Sequence, residues 1–451
     1  MLNRLPIQWR ALLQRPAIRA SLWTLGAYGT SQALRIASNL ILTRLLFKEA
    51  FGLMLIVNVV LQGFQMLSDL GIGPSVVQNP KGEAPEFLWT AWTIQLIRGA
   101  GLWVIALLLA WPLAQIYHEP MLAQVLPVIS IAILIDAAGS TKAFLLNRRL
   151  NIGPWMMIDL SSYVLSILVM IAGAWIWYSV WPLVIGGLVQ SVSNCIMSHL
   201  LLGRPRMRLF FDRHLAREII HFGKWLFLSS ILAYLASQLD RIIIGVFFAL
   251  DQVGVYSVAS TMSLVMVQVV QRISTKVLFP LYASTARTNA QDLRRQTRKA
   301  RSLLMLLTVP PMWVLVMLAP SLIDLLYDAR WHEAGWMLQL LAIGATAQCI
   351  FYPIEIVLLA MGNSFAHMRL QFMRTIILLG AMLAGGYFFG TYGMLVGVVA
   401  ANVLYYPALV WFVRPYGVWL PALDLGALAA STLVIAVGLG LELEMGLPVL
   451  K

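Results

Sequence analysis

The sequence predicts an all-α polytopic membrane protein: two pseudo-symmetric six-helix lobes around a central cavity, with about one extra C-terminal helix and roughly 12–14 spans in all. Three observations predict this. Of 451 residues, 60% are apolar or aromatic and only 11% are charged, against about 25% in a soluble domain. Apolar stretches long enough to span a bilayer recur along the whole chain. The chain also repeats itself weakly between its two halves. A soluble protein of this length would form two or three domains with polar surfaces, and there are too few charges to cover them. Soluble enzyme, disordered tail and nucleic-acid-binding domain are excluded, and the net charge of +13 must sit outside the hydrocarbon.

The elements follow in order. Residues 1–19 form a basic cytoplasmic segment; MLNRLPIQWRALLQRPAIRA holds four Arg and no acid. It lacks the short apolar core and small-residue cleavage site of a signal peptide. An N-terminal lobe at 20–202 has candidate helices near 20–43, 51–78, 87–116, 122–146, 153–178 and 181–202. A basic connector covers 203–224. The C-terminal lobe at 225–413 takes helices near 219–249 (which begins inside the connector), 253–280, 302–326, 335–360, 366–389 and 393–413. Residues 414–451 add a thirteenth helix near 421–441 and a tail.

Charge placement orients this assignment. With the N-terminus cytoplasmic, the cytoplasmic segments hold 22 of the 32 basic residues, including Lys142, Arg148 and Arg301. The opposite side holds only Arg44, Lys48, Arg330 and Lys451. This is the positive-inside bias of an inner-membrane protein. The richest segments, 203–224 and 281–302, are expected to lie against an anionic leaflet.

Familiar chemistry is absent. Cys195 and Cys349 fall inside different spans, and no P-loop or HExxH occurs. The six His show no i,i+4 pairing, so no metal site and no cofactor are expected. The outward loops KEA, YHEP, ALDQVG and YDARWHEAG are too short to fold around a catalytic centre. The sequence therefore reads as a non-enzyme.

The informative charges lie within the spans: Arg35, Arg98, Arg241, Arg272, Lys276 and Arg374, with Asp69, Asp136, Asp159, Asp240 and Glu355. Each costs roughly 2.5–3.5 kcal/mol at a helix centre if it faces lipid. Helical spacing gathers them into stripes. Tyr28, Gln32, Arg35, Asn39 and Thr43 share a face of the first span. Tyr234, Gln238, Arg241 and Gly245 repeat that pattern on the seventh. Arg272 and Lys276 are i,i+4 on the eighth, with Ser257, Thr261 and Gln268. Arg98, Lys276 and Arg374 can snorkel toward cytoplasmic water. Arg35 and Arg241 lie deeper, so they are the first choice as ligands of an anionic substrate. Asp136, Asp159 and Glu355 either balance cations or carry a coupling ion, proton or sodium. Asp240 and Arg241 are neighbours about 100° apart, so they are not expected to pair.

NLILTRLLFKEAFGLM (39–54) aligns with RIIIGVFFALDQVGVY (241–256), which implies two lobes in parallel orientation. The segments TRLLFKEAFGLM, SDLGIGPSVVQ, QLDRIIIGVFFALDQVGVYSVAS, KVLFPLYAS, LLYDARWHEAGWMLQLLAIG and VLLAMGNSF occur here in one order. That series resembles the bacterial oligosaccharide and polysaccharide flippases, the O-antigen and exopolysaccharide exporters of the multidrug/oligosaccharidyl-lipid/polysaccharide superfamily. The resemblance implies export of undecaprenyl-diphosphate-linked oligosaccharide repeat units across the inner membrane by alternating access. It also implies contact with membrane lipids, and with a polysaccharide polymerase and export machinery as partners. On that reading Arg35 and Arg241 hold the diphosphate, where arginine binds phosphate oxygens bidentately. Arg272, Lys276 and Arg98 form the approach, and Gln32, Gln238, Tyr28 and Tyr234 line the cavity. The alternatives are a lipid II-type flippase, a cation-coupled multidrug exporter, and a non-transporting scaffold of a polysaccharide synthesis complex. A drug exporter for cations should carry excess carboxylates in its spans; cations are at least as numerous here.

Overall fold

The computed structural model describes residues 16–66, 68, 71–149, 151, 153–203, 206–286 and 290–444. Asp69, most of the N-terminal basic segment and the basic residues Arg204, Arg287 and Lys451 lie outside the described residues, as does the side chain of Tyr28. Among the described residues all regular structure is helical. Without water to hydrogen-bond the backbone, a helix satisfies its own N–H and C=O groups in lipid.

Eight helices are long and apolar enough to cross a membrane among the described residues, or nine if Leu250–Ser263 and Val265–Ala283 form one span bent by 42°. The sequence predicts thirteen uninterrupted helices, and the difference has physical causes. Helices α1 (Pro16–Leu45) and α10 (Arg213–Phe247) have the length but carry the polar stripes. The predicted 51–78 helix is two: α2 (Lys48–Met66) and α3 (Ile72–Gln78), with left-handed Gly71 (φ 62°) before α3. The predicted 122–146 helix is three: α5 (Leu122–Ile129), α6 (Ile131–Ala138) and α7 (Lys142–Arg148). Two predicted helices merge in α16 (Ser364–Leu404), where Gly390 at φ 63° and ψ −146° turns the chain. Only glycine adopts that conformation without strain.

The chain forms two compact units: residues 1–50 with 57–231, and 51–56 with 232–451. The stretch 203–224 lies within the first. In that unit α8 (Gly153–Ile176) packs on α9 (Trp181–Leu201) and on α1, while α4 (Pro85–Ile116) packs on α5 and α6. Only 22% of the apolar stretch of α4 and of α8 is buried within the protein, leaving Leu108, Leu168 and Trp175 for lipid. In the second unit α15 (Ala334–Ala360) is the core, with 83% of its stretch buried between α14 (Ala290–Leu326) and α16. Small residues set the closest helix approaches. A Cβ on Gly385 would lie 2.0 Å from the Gly393 carbonyl oxygen across the α16 turn.

Helix ends carry exposed aromatics: Trp175 in the last turn of α8 with Trp177 and Tyr178 just after it, and Tyr387, Phe388 and Phe389 before Gly390. Amphipathic rings of this kind settle at headgroup level. Helix α18 (Pro421–Glu444) completes the second unit. It packs along α14, with Trp313 donating to Ser431 at 3.0 Å.

Candidate functional site

In the first unit, α1 turns Gln32, Ser38 and Thr43 into the protein, all buried. Arg35 projects from the same helix and is exposed. Among the described residues no hydrogen bond or ion pair holds it. It lies ten residues before the end of α1, about 15 Å along the axis. Arg98 on α4 is partly buried and donates to the Ser68 carbonyl at 3.3 Å.

Two predicted carboxylates meet here. Asp136 on α6 takes a hydrogen bond from Ser191 and lies within electrostatic reach of Asp159 on α8. Asn194 on α9 donates to Asp159 at 3.5 Å. Both carboxylates are exposed. The break after α6 is what positions Asp136. A helix end leaves carbonyls unpaired, and neighbouring side chains satisfy these. Gln95 donates to the Asp136 and Ala137 carbonyls, Trp92 to that of Ala138, and His199 Nε2 lies 2.9 Å from the last. Ser191 and Asn194 were not singled out from sequence. Their spacing from Cys195 and Ser198 along α9 was the available signal.

In the second unit Tyr234 and Gln238 are buried and Arg241 is partly buried, with Arg241 Nη1 donating to Gln238 Oε1 at 3.1 Å. Asp240 instead accepts from the Tyr256 hydroxyl at 2.6 Å, so the neighbouring acid and base do not pair, as their angular separation predicts. Arg272 ends α12 (Val265–Ile273) and Lys276 falls in a π-turn, Ser274–Leu278. That turn closes i to i+5 bonds and interrupts the straight stripe the sequence predicts. Arg272 is half-buried and Lys276 exposed.

Glu355 on α15 is almost fully buried. Gln371 donates to it, the Tyr405 hydroxyl lies 3.5 Å away, and His367 Nε2 is also 3.5 Å away. Arg374 stands over the Tyr405 ring, 5.2 Å from its centroid.

Two residues counted as cytoplasmic charge need correction. Arg301, on α14, is fully buried; it donates to Asp424 on α18 and to the Ile350 carbonyl. Tyr406 donates to the other Asp424 oxygen at 3.2 Å, and Trp419 donates to Tyr406 at 3.1 Å. Lys142 is buried as well and donates to the Gly203 carbonyl. Hydropathy placed both beside charged neighbours, and the fold turned them inward. Asp424, an acid within an apolar stretch, was the overlooked signal, since such a group requires a partner. Among the described residues no group of three or more His, Cys, Asp or Glu is placed to hold a metal ion.

The comparisons agree with this architecture. The family model described as "Polysaccharide biosynthesis protein" matches residues 41–335. The chain is 24% identical to the lipopolysaccharide biosynthesis protein WzxC of Escherichia coli over 445 residues, covering 96% of this chain and 89% of that one. It is 26% identical to the succinoglycan biosynthesis transport protein ExoT of Rhizobium meliloti, covering 71% of this chain and 64% of that one. Among solved structures it is similar in fold to the lipid II flippase MurJ in an inward closed conformation (TM-score 0.72, 13% identity, 92% of each chain covered). An inward-facing multidrug resistance MATE family transporter of the MOP superfamily gives a TM-score of 0.71 at 14% identity, covering 86% of this chain and 94% of that one. With a family match spanning most of its length, this chain belongs to the polysaccharide biosynthesis protein family, and its helices are those of a multi-pass membrane protein.

Proposed function

We propose that the protein exports undecaprenyl-diphosphate-linked oligosaccharide repeat units across the bacterial inner membrane, by alternating access, for exopolysaccharide, capsule or O-antigen synthesis. Arg35 carries this reading. A cation on α1, exposed and held by no hydrogen bond or ion pair among the described residues, is costly in lipid unless water or an anion occupies its surroundings. A diphosphate supplies that anion and accepts bidentate bonds from a guanidinium. The names of WzxC and ExoT place those relatives in polysaccharide production and transport, which supports the sugar-bearing cargo.

In the second unit Arg241, bonded to Gln238, is the corresponding candidate for an anionic group. In the first unit Arg98 and Gln32 are further candidate cargo contacts, and in the second Arg272, Lys276, Gln238 and Tyr234 are. Asp136 with Asp159, and Glu355, are the coupling-ion candidates. With the interior negative, each negative charge moved outward gains roughly 2.3 kcal/mol per 100 mV, so any coupled cation must be consistent with that sign. The N-terminus is cytoplasmic in this reading, as the positive-inside bias requires.

The test is flipping of a labelled lipid-linked oligosaccharide by purified protein in vesicles. The Arg35→Ala protein, inserted normally, should lose transport. Full transport by that variant would overturn the anion site. Lipid II as an alternative cargo is the second arm, because MurJ, similar in fold, is a lipid II flippase. Asp136→Asn and Asp159→Asn variants that kept an unchanged dependence on the proton gradient would remove the coupling role from that pair.

A further inference from the structure

The chain between α9 and α10 is fixed to the first unit rather than running as a loose tether. Lys142 donates to the Gly203 carbonyl just past α9. Trp89 Nε1 donates to the Arg206 carbonyl at 2.9 Å. Thr93 Oγ1 donates to the Phe210 carbonyl at 2.9 Å and accepts from the Phe210 amide at 3.2 Å, while the Asp212 amide donates to Thr90 Oγ1 at 3.3 Å. Asp212 then caps α10, accepting the amides of His214 and Leu215 at 2.7 and 2.9 Å. Trp89 and Phe210 meet edge to face, and Arg208 stands over the Trp89 ring at 5.8 Å.

This fixed strap is amphiphilic on its open side. Leu209, Phe210 and Phe211 are 75%, 40% and 51% exposed. Leu200 and Leu201, at the end of α9, are 74% and 67% exposed beside them. Arg206, Arg208, Arg213 and Arg217 are exposed along the same segment. Two carboxylates of the segment are already engaged, Asp212 in the cap and Glu218 with Asn79 at 3.1 Å and His214 at 3.3 Å, while Glu86 is exposed on α4 one turn before Thr90. The segment thus sits where membrane-crossing helices begin and end, with apolar side chains and exposed cations side by side.

We propose that residues 206–212 form a preorganised docking strap for anionic phospholipid headgroups of the leaflet it faces: Arg206 and Arg208 bind the phosphate while Leu209 and Phe211 enter the acyl boundary. Charge complementarity selects this occupant, since a basic residue near an anionic leaflet adds attraction that zwitterionic lipid does not. Prior fixing by Trp89, Thr90 and Thr93 removes the entropy cost a flexible linker would meet on binding. The strap is independent of the transport site, so its failure leaves the proposed cargo untouched.

The experiment measures phosphatidylglycerol against phosphatidylcholine retained by the full-length protein after extraction from mixed vesicles, read by native mass spectrometry. Wild type should favour phosphatidylglycerol. Arg206→Gln with Arg208→Gln should lose that preference on the order of tenfold, from the attraction per cation. Leu209→Ser with Phe211→Ser should lower retention of both lipids. The comparison pair is Arg294→Gln with Arg295→Gln, exposed in the other basic segment. An equal loss in that pair would mean that bulk charge, not the strap, retains lipid, and would overturn the proposal. So would unchanged retention in the strap variant, or displacement of phosphatidylglycerol by millimolar inorganic phosphate alone, which would indicate a free-phosphate site. Monodisperse elution and unchanged helical circular dichroism confirm that each variant is folded.

Discussion

The two units treat their charges differently. The second holds two sealed clusters beside its more open Arg272 and Lys276: Arg301 and Asp424 are both fully buried and bonded to each other, and Glu355 is enclosed by Gln371, Tyr405 and His367. In the first, Arg35, Asp136 and Asp159 remain exposed, while the buried Lys142 and the partly buried Arg148 bond to backbone carbonyls. Lys142 takes the Gly203 carbonyl, and Arg148 gathers those of Val76, Val77 and Asn79 at the end of α3. The Arg301–Asp424 pair neutralises its charges in place, although Arg301 Nε and Nη1 lack a hydrogen-bond partner among the described residues. An open charge keeps its capacity for a ligand at a cost to stability. The contrast separates charges that hold the fold from charges available for cargo.

Breaking the sealed pair should have the largest effect. Asp424→Asn or Arg301→Met leaves a buried group without its partner, a loss of about 3–5 kcal/mol. Thermal unfolding in detergent should show either variant strongly destabilised. Arg301→Met combined with Asp424→Leu should recover most of the loss, because a well-packed apolar replacement is often neutral. If the single variants melt like wild type, the pair does not hold α18.

Opening the contrast from the other side, Arg35→Ala should leave the melting temperature within experimental scatter or raise it. Transport should fall by tenfold or more, consistent with losing a charged hydrogen-bonding contact of roughly 1.5–3 kcal/mol. A stability loss comparable to that of Arg301→Met would place Arg35 among the structural charges.

Next in size is packing across the α16 turn. Gly385→Ala would put a methyl carbon 2.0 Å from the Gly393 carbonyl oxygen. The shift this forces should cost about 1–3 kcal/mol, as overpacking does, and cysteine crosslinking across the turn should report the separation.

The smallest effect concerns Asp212, outside the spans. Bonds from the Leu215 and His214 amides, with nearby cations, hold its carboxyl below the usual aspartate range. A depressed folded value means this cap is fully present above the unfolded value near 3.9 and is lost as pH falls through the folded one. Hydrogen exchange at 213–216 should accelerate below about pH 4, near the unfolded aspartate value, and Asp212→Asn should lose that pH dependence while keeping the cap. Glu83 behaves alike through its bond from Arg149, which identifies this end of the first unit as the acid-sensitive one.

Much of the molecule was legible beforehand because its rules are local. Hydropathy marks spans, since each backbone group in lipid must be satisfied within its own helix. Period marks stripes, so Gln32 and Gln238 turned out buried on the faces that also carry Arg35 and Arg241. Helix breaks were less legible. The break after α6 depends on tertiary partners, as Trp92, Gln95 and His199 take up the carbonyls freed there.

By itself the sequence determined an all-helical membrane protein, its repeated polar stripes and the short list of intramembrane charges. Only the tertiary structure decided which charges are free. Charged neighbours assign Arg301 to a cytoplasmic segment and an apolar run assigns Arg35 to a span, yet Arg301 is the one the fold buries and Arg35 the one left exposed. Asp424 lies 123 residues from Arg301 along the chain, and the protein brings it to contact, while no such partner meets Arg35 among the described residues. Burial energy of a charge depends on what stands opposite it in space, and chain spacing does not encode that.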